Sequence, residues 1–166
     1  MFSVGNRVVY GIHGVCEICA VENRVVDRKT VQFYVLQPVD QAASKYYVPC
    51  HNPAALAKLR PLLTKNQLVE LLHSDAVRAD QWISDEGKRK MLYRDLISSG
   101  NREALLSMVH TLHRHRRECL QQGRKFHLCD ENFLRDAQRV LSAELSAVLE
   151  IPAHEVPAFV QRIFEE

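Results

Sequence analysis

The hydrophobic period of this 166-residue chain changes once, at Pro61, and that switch constrains the fold more than any other feature. Before it, β-branched and aromatic residues cluster in short runs between turn formers, the pattern of strands. The runs are Arg7-Val8-Val9-Tyr10, closed by Gly11 and Gly14, then Val15 to Val21, then Val25-Val26 before the turn-like Asp27-Arg28-Lys29. Thr30 to Leu36 and Tyr46-Tyr47-Val48, stopped by Pro49, complete the set. Strands of about five residues at about ten-residue spacing predict a small, strongly bent sheet or barrel.

After Pro61 the period is helical. Thr64 with Gln67 three residues on is a capping-box pattern opening a helix to about His73. A second helix is expected from about Ser84, carrying Met91, Leu92, Leu96 and Ile97 inward and stopping at Gly100. Asn101 is expected to cap a third, with Leu105, Val109 and Leu112 as its apolar stripe, ending before Gly123. Asp130 is expected to cap a fourth, with Phe133, Leu134, Ala137, Val140, Leu141, Leu145 and Val148 buried. A last short helix begins near Pro157 and buries Phe159, Val160 and Phe164. The expected class is α+β in two domains, a β module over residues 1–62 and a helical module over residues 63–166.

The net charge of +2 conceals an asymmetry. Residues 1–75 carry +2, residues 76–125 carry +5 and residues 126–166 carry −5. A basic middle hints at a polyanionic partner, although charged residues also coat exposed helices. No stretch approaches the ~18 apolar residues of a bilayer span, and the N-terminus lacks the pattern of a signal peptide, so a cytoplasmic protein without membrane contact is expected.

Motifs for chemistry are sparse. Cys16-Glu17-Ile18-Cys19 matches C-x-x-C, but it falls inside a strand rather than at a helix N-terminus, where the dipole would activate a thiol. A zinc site would have to recruit Cys50 and His51, and the plainer reading is of strand cysteines acting as small apolar residues. The five cysteines and the missing export signal suggest reduced thiols. His110, His113 and His115 share one helix without a nearby acidic ligand and read as a solvated polar face with partly protonated imidazoles. No phosphate-binding loop, dinucleotide fingerprint or nucleophile elbow occurs. The expectation is a protein without catalysis, cofactor, metal or small-molecule substrate.

The basic clusters carry more. Lys88-Arg89-Lys90 with Arg94 would cover one side of the second helix, and Arg114, Arg116 and Arg117 with Arg124 and Lys125 crowd the end of the third. Such groups bind phosphates mainly through counterion release, which gives affinity with little sequence choice. Cations at a helix C-terminus are also favoured by its dipole. Trp82, the single tryptophan, precedes the second helix in a polar stretch. It reads either as packing against the first helical turns or as an apolar wedge for the minor groove.

The opening Phe2-x-Val4-Gly5-Asn6-x-Val8-Val9-Tyr10-x-x-His13-Gly14-Val15, with Tyr34-Val35-Leu36 and Tyr47-Val48-Pro49, resembles the CarD (CarD/CdnL) family, whose domain is shared with transcription-repair coupling factors. Leu96-Ile97-Ser98-Ser99-Gly100-Asn101-Arg102 and Asp130-Glu131-Asn132-Phe133-Leu134, followed by Ala137, Leu141 and Glu144-Leu145, resemble the helical domain of such proteins, especially those of Firmicutes. The resemblance covers nearly the whole chain in the same order. It departs at Gly11, which stands where a proline is common, and in the interval from Trp82 to Gly100, which is longer by about one helical turn than in mycobacterial-type members.

The resemblance implies a Tudor-like β domain that pairs with the β1 lobe of the RNA polymerase β subunit. Arg24 falls where the family can carry a contacting arginine, and Tyr47 where others carry a second basic residue. It also implies a helical domain meeting promoter DNA, without marked sequence preference, at the upstream edge of the transcription bubble. Trp82 is then the candidate wedge, with Lys88, Arg89, Arg94, Arg114 and Arg117 as candidate DNA contacts. The implied activity is a transcription regulator that modulates open-complex stability, nucleoid-associated through polymerase. The rival readings are an adaptor on polymerase without DNA contact, and a thiol- or metal-responsive regulator built on Cys16, Cys19 and Cys50.

Overall fold

The computed structural model describes residues 1–79 and 81–166, apart from the Ile12 side chain; Asp80, in the polar stretch before Trp82, lies outside the described residues. The chain divides into two compact units, Met1–Leu62 and Leu63–Glu166. The first holds strands β1 (Arg7–Tyr10), β2 (Val15–Val26), β3 (Lys29–Pro38), β4 (Tyr46–Pro49) and β5 (Leu59–Pro61), with a one-turn helix α1 (Pro53–Leu56). All neighbours pair antiparallel, in the order β4-β3-β2-β1-β5. Val8, Cys16, Ile18, Tyr34, Leu36, Val48 and Leu59 form the core, with Phe2, Tyr10, Tyr46 and Leu56 packed against it.

Sequence runs at Val15–Val21 and Val25–Val26 predict two strands, but β2 is one strand of twelve residues. Glu22-Asn23-Arg24 reads as a break only if every strand residue must serve a core. Here residues 21–30 are all exposed, so the outer half of the β2–β3 hairpin is a ribbon that needs no apolar alternation. Asp27 and Arg28 close it with φ of 49° and 65°, the left-handed pair that matches the twist of a two-residue hairpin. A bulge between Ile18 and Ala20 shifts the register where the ribbon leaves the core. The three-residue β5 carries too little pattern to be read from sequence.

The second unit contains α2 (Lys65–His73), α3 (Asp75–Arg78), α4 (Glu86–Ser99), α5 (Arg102–Gln121), α6 (Leu128–Leu149) and α7 (Val156–Phe164). The punctuation signals hold. Thr64 and Gln67 form a reciprocal capping box, Asn101 accepts the Ala104 N–H at 3.0 Å, and Gly100 ends α4 in the left-handed region. Buried α5 residues Leu105, Leu106, Val109 and Leu112 meet Leu134, Ala137, Leu141 and Leu145 of α6. Arg78 ties two helix ends together, donating to the carbonyls of Leu72 at 2.9 Å and Ile163 at 2.7 Å.

Three expectations are corrected. Met91 and Leu92 are exposed, at 68% and 37%, and the inward face of α4 is Arg89 and Tyr93 with Leu96 and Ile97 behind them. Asp130 does not cap α6: His127 holds the cap position, while Asp130 sits in the first turn and is fully buried. Val140 lies on the solvent side of α6. The first two share one cause, because a charged pair occupies places that apolar periodicity assigns to hydrocarbon.

Candidate polymerase and nucleic-acid contact surfaces

In the β unit, strand alternation sets Arg24 opposite Val31 and Tyr47 opposite Val35, on one face of the sheet. The Arg24 guanidinium carbon lies 3.8 Å from the centroid of the Tyr47 ring, and Glu22 accepts from the same guanidinium at 3.4 Å. Two residues distant in sequence thus become one exposed feature, a cation lying flat on an aromatic ring, worth about 0.5–1 kcal/mol at an exposed site. Tyr47 is 38% exposed. Beside it, β2 has a long open edge. On β2, β1 pairs with Val15–Glu17, and the chain before it exchanges two further bonds with Ile18, so among the described residues no strand pairs with 19–26 on that side. Val21, Val25 and Val26 are exposed along this stretch.

The two cysteines of the C-x-x-C pattern have different surroundings. Cys16 is fully buried in the core, and burial, with a smaller contribution from Asp40, pushes its thiol up to about 11. Cys19, at the bulge, donates to the Val35 carbonyl at 3.4 Å. Burial also raises the Cys50 thiol, outweighing its hydrogen bond with Tyr34. No three His, Cys, Asp or Glu side chains among the described residues could hold a metal together.

In the helical unit the Trp82 indole is stacked by the His115 imidazole, with centroids 3.5 Å apart and planes 11° apart. The Arg89 guanidinium carbon lies 4.4 Å from the same indole. The imidazole stacks on the indole and the guanidinium lies against the same ring, leaving Trp82 half-buried. Phe126, from the α5–α6 turn, flanks His115 at 6.1 Å, and Cys119 lies 3.5 Å from His115 Nε2.

Arg89, one of the expected DNA contacts, lies in the interior of the helical unit. Its side chain is buried, its Nε and Nη2 donate to both Asp130 oxygens at 2.8 and 3.1 Å, and Nη1 donates to the Ile83 carbonyl at 2.9 Å. Burial opposes its charge, but the Asp130 carboxylate more than offsets this and raises its pKa. Arg89 therefore fixes the loop before α4 and lies against Trp82, and its burial keeps it from a phosphate in solvent. The signal was present in the sequence: 89, 93, 96 and 97 form one helical stripe, and an arginine on such a stripe calls for a buried acid. Nothing local identifies Asp130 or His115 as its neighbours.

Lys88 and Arg94 are exposed, with the Lys88 backbone N–H donated to the Asp85 cap. Arg114 pairs with Glu118 at 3.6 Å and Arg117 with Glu165 at 3.1 Å, so part of their charge is internally neutralised. The three histidines do not form a solvated face. His110 packs edge-on to Phe164, His115 lies against Trp82, and His113 is buried between Arg116 and Gln138. Burial first, then Arg116 and Arg117, lowers His113 to about 4, so it is neutral near pH 7.

No curated protein matches the chain. Residues 2–62 match the model of the CarD-like/TRCF RID domain, and the match ends where the β unit ends. At the level of that family, such domains belong to transcription-related proteins that interact with the RNA polymerase β subunit. The first unit of this chain is thus similar to the CarD-like/TRCF RID domain.

Proposed function

We propose that this protein is a non-catalytic transcription regulator that docks on the β1 lobe of the RNA polymerase β subunit and brings its helical unit to promoter DNA at the upstream edge of the bubble. The observation carrying the reading is the Arg24–Tyr47 stack on the exposed face of the family-matched unit, beside the open edge of β2. An open strand edge can extend a partner's sheet through main-chain hydrogen bonds, while flat cationic and aromatic groups supply selectivity. DNA contact then falls to Lys88, Arg94, Arg114 and Arg117, through phosphate attraction without base readout. Tethering raises the local concentration of these cations, so individually weak contacts suffice. A preference for the melted state of ~1.4 kcal/mol shifts the open-to-closed ratio about tenfold.

The test is binding of the full chain to purified polymerase, with Arg24→Glu and Tyr47→Ala variants, followed by open-complex lifetime on a promoter fragment. The expected result is binding weakened at least about tenfold by Arg24→Glu, as for loss of a central interface arginine, with the lifetime effect lost in parallel. Unchanged binding by a folded Arg24→Glu variant would overturn the docking assignment. Retained binding with no change in lifetime, and no sensitivity to charge reversal at Lys88 and Arg94, would favour the adaptor reading.

A further inference from the structure

We infer that the open edge of β2 pairs antiparallel with the same edge of a second copy of this chain, about a two-fold axis at Asn23, and that this pairing competes with polymerase for the edge. The self-pairing stands on the β unit alone, and the competition rests on the docking reading above.

The backbone fixes which groups face outward. Around a two-residue hairpin the flanking pair, here Val26 and Lys29, exchanges both main-chain bonds, and bonded and non-bonded pairs then alternate along the ladder. Arg24–Val31 and Glu22–Phe33 are therefore bonded pairs, whereas Val21, Asn23 and Val25 turn their N–H and C=O groups to the open side. The far side of β3 agrees. Gln32, the neighbour of Asn23, turns its carbonyl to the opposite flank, where it accepts the Cys50 N–H at 2.9 Å. Alternating donors and acceptors with no strand of the described residues against them are a template for another strand. Residues 19–26 include neither lysine nor proline, the residues that commonly blunt such an edge.

The residues around Asn23 are their own complement. Antiparallel pairing centred there sets Asn23 against Asn23, Val21 against Val25 and Glu22 against Arg24, the unlike pairs each occurring twice, as an isologous interface requires. Asn23, Val21 and Val25 are the positions whose main-chain groups face outward, so the same register closes the hydrogen bonds. Glu22 and Arg24 fall at the non-bonded positions, where opposite side chains lie closer together. They share the face that bears Tyr47, on which Arg24 is held flat while Glu22 accepts from it at 3.4 Å. A second copy adds one more acid and one more base in alternation. On the other face Val21 and Val25, 39% and 76% exposed, cover each other across the axis. Moving the axis by one residue would set Glu22 against Glu22 or Arg24 against Arg24, so charge selects this register. One short strand pair buries less than the ~1,200 Å² of a stable interface, so the dimer is weak and depends on concentration.

The experiment is sedimentation of the full chain under reducing conditions, from about 10 µM to about 1 mM. The wild type should pass from monomer to dimer. Glu22→Lys and Arg24→Glu should each weaken the dimer at least about tenfold, because like charges then face each other twice. An equimolar mixture of these two variants should form a heterodimer, and the double variant Glu22→Lys/Arg24→Glu should again pair with itself, which also shows that the variants fold. A wild type that stays monomeric throughout would overturn the inference, as would a dimer indifferent to both charge changes. Adding purified polymerase to wild type held mainly as dimer should leave one chain on each polymerase and deplete the dimer. Two chains retained on each polymerase would overturn the competition and the edge docking but not the self-pairing. An intact dimer beside polymerase that binds no chain would overturn the docking reading and the competition, again without touching the self-pairing.

Discussion

Arg89 and Asp130 are the pair on which the helical unit should depend most. Their side chains are 4% and 0% exposed and joined by two hydrogen bonds. Replacing Arg89 with Met keeps the aliphatic stem but strands a fully buried carboxylate without its counter-charge. Removing one partner of such a pair costs about 3–5 kcal/mol, against a total stability of about 5–15 kcal/mol for a domain of this size. Asp130→Leu alone should cost a similar amount, because it strands the guanidinium. The double variant should recover most of the loss, since an apolar pair of similar volume replaces a desolvated ion pair at little net cost. The assay is urea unfolding at pH 7 followed by Trp82 fluorescence, with near-ultraviolet circular dichroism as a reporter of indole packing. A loss below about 1 kcal/mol for Arg89→Met, on the scale of an exposed pair, would refute the reasoning. So would a double variant no more stable than either single one, because the coupling of a contacting pair should then be visible and is not.

Two further outcomes follow from the geometry. His113 has a folded-state value of about 4, against 6.5 unperturbed, so the unfolded chain binds the extra proton between those limits and stability falls with acidification across that window. Its share of the loss is about 2 kcal/mol at pH 5 and is absent above pH 7; urea midpoints of wild type and His113→Gln should converge or cross on acidification, and parallel pH profiles would refute the assignment. Arg28 holds a left-handed φ of 65° in the hairpin turn, so Arg28→Gly should relieve about 1 kcal/mol of strain. Amide exchange in the outer β2–β3 ribbon should then slow severalfold, and faster exchange would show that the lost side-chain and entropy contributions dominate.

Much of the architecture was written locally. The capping box at Thr64, the Asn101 cap and the Gly100 stop are rules acting within about four residues, and each operates as read. The switch from strand to helix period at Pro61 coincides with the boundary between the compact units. Local rules failed where a side chain answered to a partner far along the chain. Arg89 reads as one of a run of surface cations, and only Asp130, 41 positions away, makes it an interior residue. Its neighbours Met91 and Leu92 turn outward because Arg89 and Tyr93 have taken the buried face.

The candidate surfaces divide in the same way. Legible in the residues alone were the types of side chain available: a cationic middle, a lone tryptophan, three histidines on one helix and an N-terminal segment whose order of motifs matches a known domain. Tertiary structure alone decided which of them face outward. It laid Arg24 on Tyr47 across the sheet, withdrew Arg89 and His113 from solvent, stacked His115 on Trp82, and left Leu120 and Leu128 exposed. The physical reason is that burial and pairing are properties of neighbours in space, and the free energy of desolvating a charge depends on whether another element delivers its counter-charge to the same site.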